Sequence, residues 1–167
     1  MTIEKARAFA IGAHNGIGQV RKYTGEPYWW HCQNVAWWVR MADYWTDEMA
    51  AAAWLHDVVE DTKVTHQQLL DEFGREIASL VQQVSDVSRP GDGNRKARKQ
   101  LDLEHLAEAS PAAKTIKLAD IIDNTESIVR HDPNFAKVYL AEKAALLEVL
   151  TEGDPGLWAI AKRQVTP

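Results

Sequence analysis

The chain is expected to be all-α, one bundle of about eight helices, on three observations. Apolar residues recur at three- and four-residue spacing through most of its 167 residues. Helix start and stop signals flank those stretches, and the breaks between them are short and rich in glycine and proline. The first helix is predicted over Thr2–Ala13, followed by a glycine-punctuated loop, HNGIGQVRKYTGEP. Pro27 suits the first turn of a second helix, which carries His31 and runs to about Tyr44. Asp47 is the expected N-cap of a short alanine-rich helix ending at His56-Asp57. Thr65 and Gln68 have the spacing of a capping box, Gly74 should close that helix, and another follows from about Arg75 to Val87.

The segment Ser88–Asn94 is the clearest loop, and helical periodicity resumes over Arg95–Ala107. Ser110-Pro111 is an N-cap followed by proline at the first helical position, opening a helix to about Val129. A last long helix is predicted over Phe135–Leu150, then a short terminal turn around Trp158. Without a repeat, a low-complexity tract or a linker, residues 1–167 are expected to form one domain.

A net charge of −5 argues against general affinity for nucleic acid or anionic membrane surfaces, though not against a small phosphorylated ligand. The start, with Glu4, Lys5 and Arg7, carries no long apolar run, so neither a signal peptide nor a membrane anchor is expected. Cys32 is the only cysteine; a reducing cytoplasm and a buried thiol are the expectations. Of seven tryptophans, Trp30, Trp37/Trp38 and Trp45 recur near helical spacing and are expected in the core. Aromatics outside that stripe leave room for a homodimer interface.

Three apolar helical patterns are interrupted by ionisable groups: YWWHCQNVA, WLHDVVEDT and KLADIIDN. Charge on an apolar helix face needs compensation. His31, His56, Asp57 and Asp120 together form a mixed nitrogen and oxygen donor set that suits a first-row divalent metal; manganese, iron and zinc all accept it. Glu60 lies four residues after His56, and Asp61 four after Asp57, so a continued helical turn puts both acids beside the ligands. A carboxylate there can take a proton from an attacking water. Lys117, Asp120 and Asn124 share a helix face, a phosphate-facing arrangement. Arg21-Lys22 in the loop before His31, and the cluster Arg95, Lys96, Arg98 and Lys99, give an acidic protein two basic patches that favour a polyphosphorylated ligand. The remaining histidines, His14, His66, His105 and His131, are expected at helix ends or in solvent.

With these residues in view, the chain resembles the HD-type metal-dependent phosphohydrolases. Within them it is similar to the hydrolase domain of RelA/SpoT proteins and their small stand-alone relatives, which degrade (p)ppGpp. The resemblance spans roughly His14 to Leu150 and rests on HNGIGQ, RKYTGEPYWWH, AAAWLHDVVEDT, FGREIASLVQQVSDVS and SPAAKTIKLADIIDN. It implies His31, His56, Asp57 and Asp120 as ligands, most often to manganese, and Glu60 and Asp61 in water activation and substrate orientation. By the same resemblance Arg21 and Lys22 contact base and phosphate, Asn124 the ribose-phosphate side, and Lys99 and Tyr139 help hold the nucleotide. The implied reaction is hydrolytic removal of the 3′-diphosphate from a guanosine nucleotide; with no synthetase segment, degradation rather than synthesis is expected.

The chain departs from the family's D-[RK]-[LI]-x-N pattern. Asp120-Ile121-Ile122-Asp123-Asn124 loses a basic residue and adds an acid, and Tyr23 follows the Arg-Lys pair where a small residue is usual. Two alternatives therefore stand beside the alarmone reading. One is another phosphohydrolase on this scaffold: a deoxynucleotide triphosphohydrolase, a nucleotidase, or a 2′/3′-phosphatase of an NADPH-type dinucleotide. The other is an inactive nucleotide-binding module, which the retention of four ligands and both acids disfavours.

Overall fold

A computed structural model describes residues 2–166. Among them are nine helices: α1 (Thr2–Gly16), α2 (Trp29–Val39), α3 (Asp47–Leu55), α4 (Val58–Asp61), α5 (His66–Val84), α6 (Arg95–Ala107), α7 (Pro111–His131), α8 (Pro133–Leu147) and α9 (Pro155–Val165). The all-α expectation holds. α4 is a single turn, and extended pairing among the described residues is limited to one bridge between Val20 and Pro27, which closes the basic loop. None of these helices is long and apolar enough to cross a membrane.

α3 is the centre of the bundle, with α1, α2, α5 and α7 packed around it. Every residue from Met49 to Leu55 is buried. Its alanines let the neighbouring helices approach closely, and burying Leu55 and Trp54 contributes about 1.5–3 kcal/mol each. One hydrophobic core takes side chains from all nine helices, from Ala6 of α1 through Ile116 of α7 to Leu157 of α9. α7 packs against α2, α5, α8 and α9 and also touches α3, which brings its middle to the end of α3.

The caps follow local chemistry. Thr65 and Gln68 form the expected capping box, and Ser110 accepts from the Ala113 amide with Pro111 in the first turn of α7. Gly74 breaks the regular course of α5 at φ +80°, a conformation that costs other residues. Thr46, rather than Asp47, caps α3, because its extended backbone lets its hydroxyl accept from the Met49 amide. Asp132 likewise caps α8 with Pro133 after it, so that helix starts two residues earlier than expected. α9 is a full helix of 11 residues, where a short turn was expected.

The tryptophan stripe is the main correction. α2 ends at Val39, short of Tyr44, and buries His31, Cys32, Val35, Ala36 and Val39. Trp30 and Trp37 fall on its outer side and are 41% and 52% exposed. The ionisable His31 and the small residues claim the inner face, leaving the largest aromatics outside. Trp38 and Trp45 pack partly against the core, and Trp54 is inside it. Cys32 is buried, as expected.

Candidate metal centre

The chain brings four side chains from three places to one point. His31 projects from the first turn of α2, His56 ends α3, Asp57 occupies the joint between α3 and α4, and Asp120 lies midway along α7. His31 Nε2 is 3.2 Å from His56 Nε2, 3.3 Å from Asp120 Oδ1 and 3.6 Å from Asp57 Oδ2. His56 Nε2 is 3.0 Å from Asp57 Oδ2 and 3.8 Å from Asp120 Oδ1. Ligands at about 2.0–2.2 Å from one ion sit roughly 3.0–3.5 Å from each other, so this donor set has the spacing of a coordination sphere. His31, His56 and Asp57 alone already form a group able to hold a metal ion.

The outer ring nitrogens agree. His56 Nδ1 donates to the Ala53 carbonyl at 2.8 Å, and His31 Nδ1 donates to Asp123 Oδ2 at 2.6 Å. Both acceptors lack a proton to give back, so in the neutral rings it is Nε2 whose lone pair is left to face the common point. Tyr28 donates to Asp57 Oδ2 at 2.6 Å, and Asn124 Nδ2 to Asp120 Oδ1 at 2.6 Å. Burial works against the ionised form of Asp120, but Lys117, 3.0 Å from its Oδ2, and the two imidazoles hold its carboxyl far below the usual range. Burial also works against charge on His31, yet Asp120, Asp123 and Asp57 raise it well above an ordinary imidazole. The pocket therefore demands positive charge at its centre, and the residues present fit a divalent cation.

The two expected acids flank this point. Glu60 accepts from the Asp86 amide at 2.9 Å. The residue is open to solvent on one side, but its carboxyl lies where protein displaces much of the water. Burial, then Asp57 and Asp86, outweigh Lys117 and push it up to about 7. Asp61 accepts from Gln19 Nε2 at 2.8 Å; burial, then Asp57, raises its carboxyl.

A cavity of about 200 Å³ is bordered by His31 itself, with Arg21, Asn34 and Asp123, and two others lie nearby. The first of these, about 390 Å³, is lined by Gln19, Arg21, Lys22, Tyr28, Asp61 and Asn124 among others. Arg21 donates to Asn124 Oδ1 at 3.0 Å and to Asp123 Oδ2 at 3.2 Å, which aligns its guanidinium along the wall. Lys22 is exposed at the mouth, near Asp132. The second cavity, about 380 Å³, is bordered by Arg95, Lys99, Lys117, Glu142 and Lys143. Lys99 is held by Asp86 at 2.8 Å, which links this wall to Glu60. Burial, then Lys117, bring Lys143 down to about 8. The buried hydroxyl of Tyr139 has no hydrogen-bond partner among the described residues.

A family model described as HD domain matches residues 6–147. The chain belongs to the HD-domain family. This HD-domain protein is 32% identical over 127 residues to a guanosine-3′,5′-bis(diphosphate) 3′-pyrophosphohydrolase of Aquifex aeolicus, covering 75% of the chain and 18% of that protein. It is 37% identical over 108 residues to the guanosine-3′,5′-bis(diphosphate) 3′-pyrophosphohydrolase MESH1 of Drosophila melanogaster, covering 64% of the chain and 59% of that protein. The matches thus span less than two thirds of either relative's length. The fold is similar to the solved structure of a metazoan ortholog of SpoT that hydrolyses ppGpp, with a TM-score of 0.86 at 27% identity over 98% of this chain and 93% of that one.

Several residues at the HD-domain site escaped the sequence reading. Tyr28 stands three residues before His31, a helical spacing that signals a shared face. Gln19 lies in the HNGIGQ loop but reaches its partner, Asp61, only through the fold. His14, expected in solvent or at a cap, is fully buried, with Nδ1 2.7 Å from Gln19 Oε1 and its ring against Tyr28. His66, His105 and His131 each pair with a backbone carbonyl away from the centre.

Proposed function

We propose that this HD-domain protein hydrolyses (p)ppGpp-like guanosine nucleotides, removing the 3′-diphosphate, with His31, His56, Asp57 and Asp120 holding a manganese ion. The observation that carries the reading is the convergence of two Nε2 atoms and two carboxylate oxygens, joined to the likeness to ppGpp hydrolases. In the reaction a water oxygen bonds to the phosphorus on the 3′-oxygen and the bond to that oxygen breaks; one proton of the water stays with the released diphosphate, and the other passes through the base to the 3′-oxygen of the remaining guanosine nucleotide. A bound divalent cation supplies Lewis acidity at the phosphoryl group and lowers the pKa of an attacking water.

The chain's own residues do the rest. Glu60, raised toward neutrality, accepts the proton from that water, and Asp61, steadied by Gln19, orients it. Arg21 and Lys22 meet the base and phosphate from the first cavity, beside Asn124 on the ribose side. Lys99 lines the second cavity from α6, where its ammonium offsets phosphate charge, and Tyr139 of α8, buried behind it, is the further residue assigned to hold the nucleotide. The lone buried thiol supports a cytoplasmic setting, and a homodimer is the expected assembly, to be measured by sedimentation.

The test incubates the manganese-loaded protein with ppGpp, dATP, dGTP, NADPH and a nucleoside monophosphate. Consumption of ppGpp with release of diphosphate is expected. Survival of ppGpp while another nucleotide is consumed overturns the substrate assignment, and binding without turnover of any overturns the enzyme reading.

A further inference from the structure

The acid that interrupts the family pattern on α7 has a position that its sequence context concealed. Asp123 follows Asp120 by three residues, so both point from one face of α7 toward α2. Its Oδ2 accepts from His31 Nδ1 at 2.6 Å. Asn34, three residues beyond His31 on the same helix, donates to Asp123 Oδ1 at 2.8 Å, and Arg21 donates to Oδ2 at 3.2 Å. The side chain is only 13% exposed and that of His31 not at all. Both carboxylate oxygens are therefore committed, and the carboxylate is clamped from two directions against one ring nitrogen.

The two imidazoles of the centre are thus backed differently. His56 leans on the neutral Ala53 carbonyl, whereas His31 leans on a full negative charge. A carboxylate behind the outer nitrogen fixes the ring's orientation and tautomer and raises the basicity of the inner one. Carboxylate–imidazole pairing of this kind governs how tightly a metal-facing nitrogen binds, and its loss typically costs about 10–100-fold in metal affinity.

We propose that Asp123 is a positioning residue: clamped by Asn34 and Arg21, it holds the His31 ring with Nε2 directed at the metal centre. This rests on His31 being a metal ligand, as in the function proposed above. Asp123 touches neither substrate nor metal in this assignment; it acts through His31. The residue that departs from the family pattern then strengthens the metal site while also occupying Arg21.

The test measures manganese binding directly, by the electron paramagnetic resonance signal of free Mn²⁺, in wild type, Asp123→Ala, Asp123→Asn and His31→Ala. Nitrogen-15 spectra of the zinc-loaded proteins report the Nδ1–H of each histidine, with circular dichroism confirming the helical content. For Asp123→Ala, a manganese Kd about 10–100-fold weaker is expected. The exchange-protected Nδ1–H of His31 should be lost while that of His56 is kept. Asp123→Asn retains an acceptor oxygen and should bind more weakly than wild type but more tightly than Asp123→Ala; it also serves as the measured variant if the alanine protein does not fold. Wild-type manganese affinity in the folded Asp123 variants overturns the proposal, as does weaker binding by Asp123→Ala with its His31 Nδ1–H unchanged, or equal weakening by Asn and Ala. If His31→Ala itself binds manganese like wild type, the metal-ligand reading fails instead; loss in His31→Ala with none in Asp123→Ala defeats the Asp123 proposal alone.

Discussion

Replacing Glu60 by glutamine keeps the side chain's size and removes its ability to accept a proton. Its carboxyl ordinarily titrates near 4.5 and is pushed up to about 7 in the folded protein by burial and by the carboxylates of Asp57 and Asp86. A base with that midpoint is about one-tenth ionised at pH 6 and nine-tenths at pH 8, so turnover that depends on it rises up to about ninefold across that interval. A divalent cation at the centre draws the midpoint below 7, moving the rise to lower pH without abolishing it. An unperturbed glutamate would already be almost fully ionised at pH 6, and the profile would be flat. The assay is diphosphate release from ppGpp at saturating manganese and nucleotide between pH 5 and 8, in wild type and Glu60→Gln. The variant is expected to keep its metal, to lose about 10²–10⁴-fold in kcat, and to lose the rise with pH. Comparing the two proteins separates Glu60 from protonation of the metal ligands, which both share. A flat wild-type profile, or wild-type turnover in the variant, refutes the assignment of Glu60 as base.

Other outcomes follow from the same geometry. Because the folded protein holds a proton on Glu60 to higher pH than the unfolded chain does, this group favours folding less as pH rises from about 4.5 to about 7. Glu60→Gln should therefore gain in thermal midpoint over wild type as pH rises through that window, and a constant difference in melting scans would contradict it. Asp120→Ala is expected to lose bound manganese and activity with helical content kept; unchanged metal stoichiometry by elemental analysis would remove Asp120 from the ligand set. Gly153→Ala should lower stability by about 1–3 kcal/mol, since a Cβ there would lie 2.7 Å from Leu118 Cδ1 and 3.1 Å from the Thr115 backbone nitrogen of α7. Chemical denaturation checks it, and an undiminished midpoint would show that the loop has room to move.

Features written in local chemistry were legible before the fold was known. The Thr65–Gln68 box, the Ser110-Pro111 start and the break at Gly74 each depend on a few adjacent residues and appear as read. So does the convergence of His31, His56, Asp57 and Asp120, because an ionisable residue on an apolar helix face announces an unmet need for a partner. What escaped was the choice among partners far apart in the chain. Asp123 looked only like an added acid until α2 and α7 were seen side by side, with His31 92 positions away against its carboxylate. The tryptophans misled for a related reason: spacing tells which residues share a face of α2, but not which face the bundle turns inward. Small side chains and one histidine took the interior there, and Trp30 and Trp37 were left outside.

His56 and Asp57 terminate the helix whose residues from Met49 to Leu55 are all shielded from water. Amide hydrogens along such a segment are expected to be among the slowest to exchange in the molecule, since the openings that expose a core helix lie towards the global end of the range. The two side chains of the centre anchored there should consequently keep their places through fraying of the termini and of the basic loop. Lys22, out on that loop, belongs to the opposite regime: its side chain is largely exposed and is held only by surface contacts with Tyr23 and Asp132.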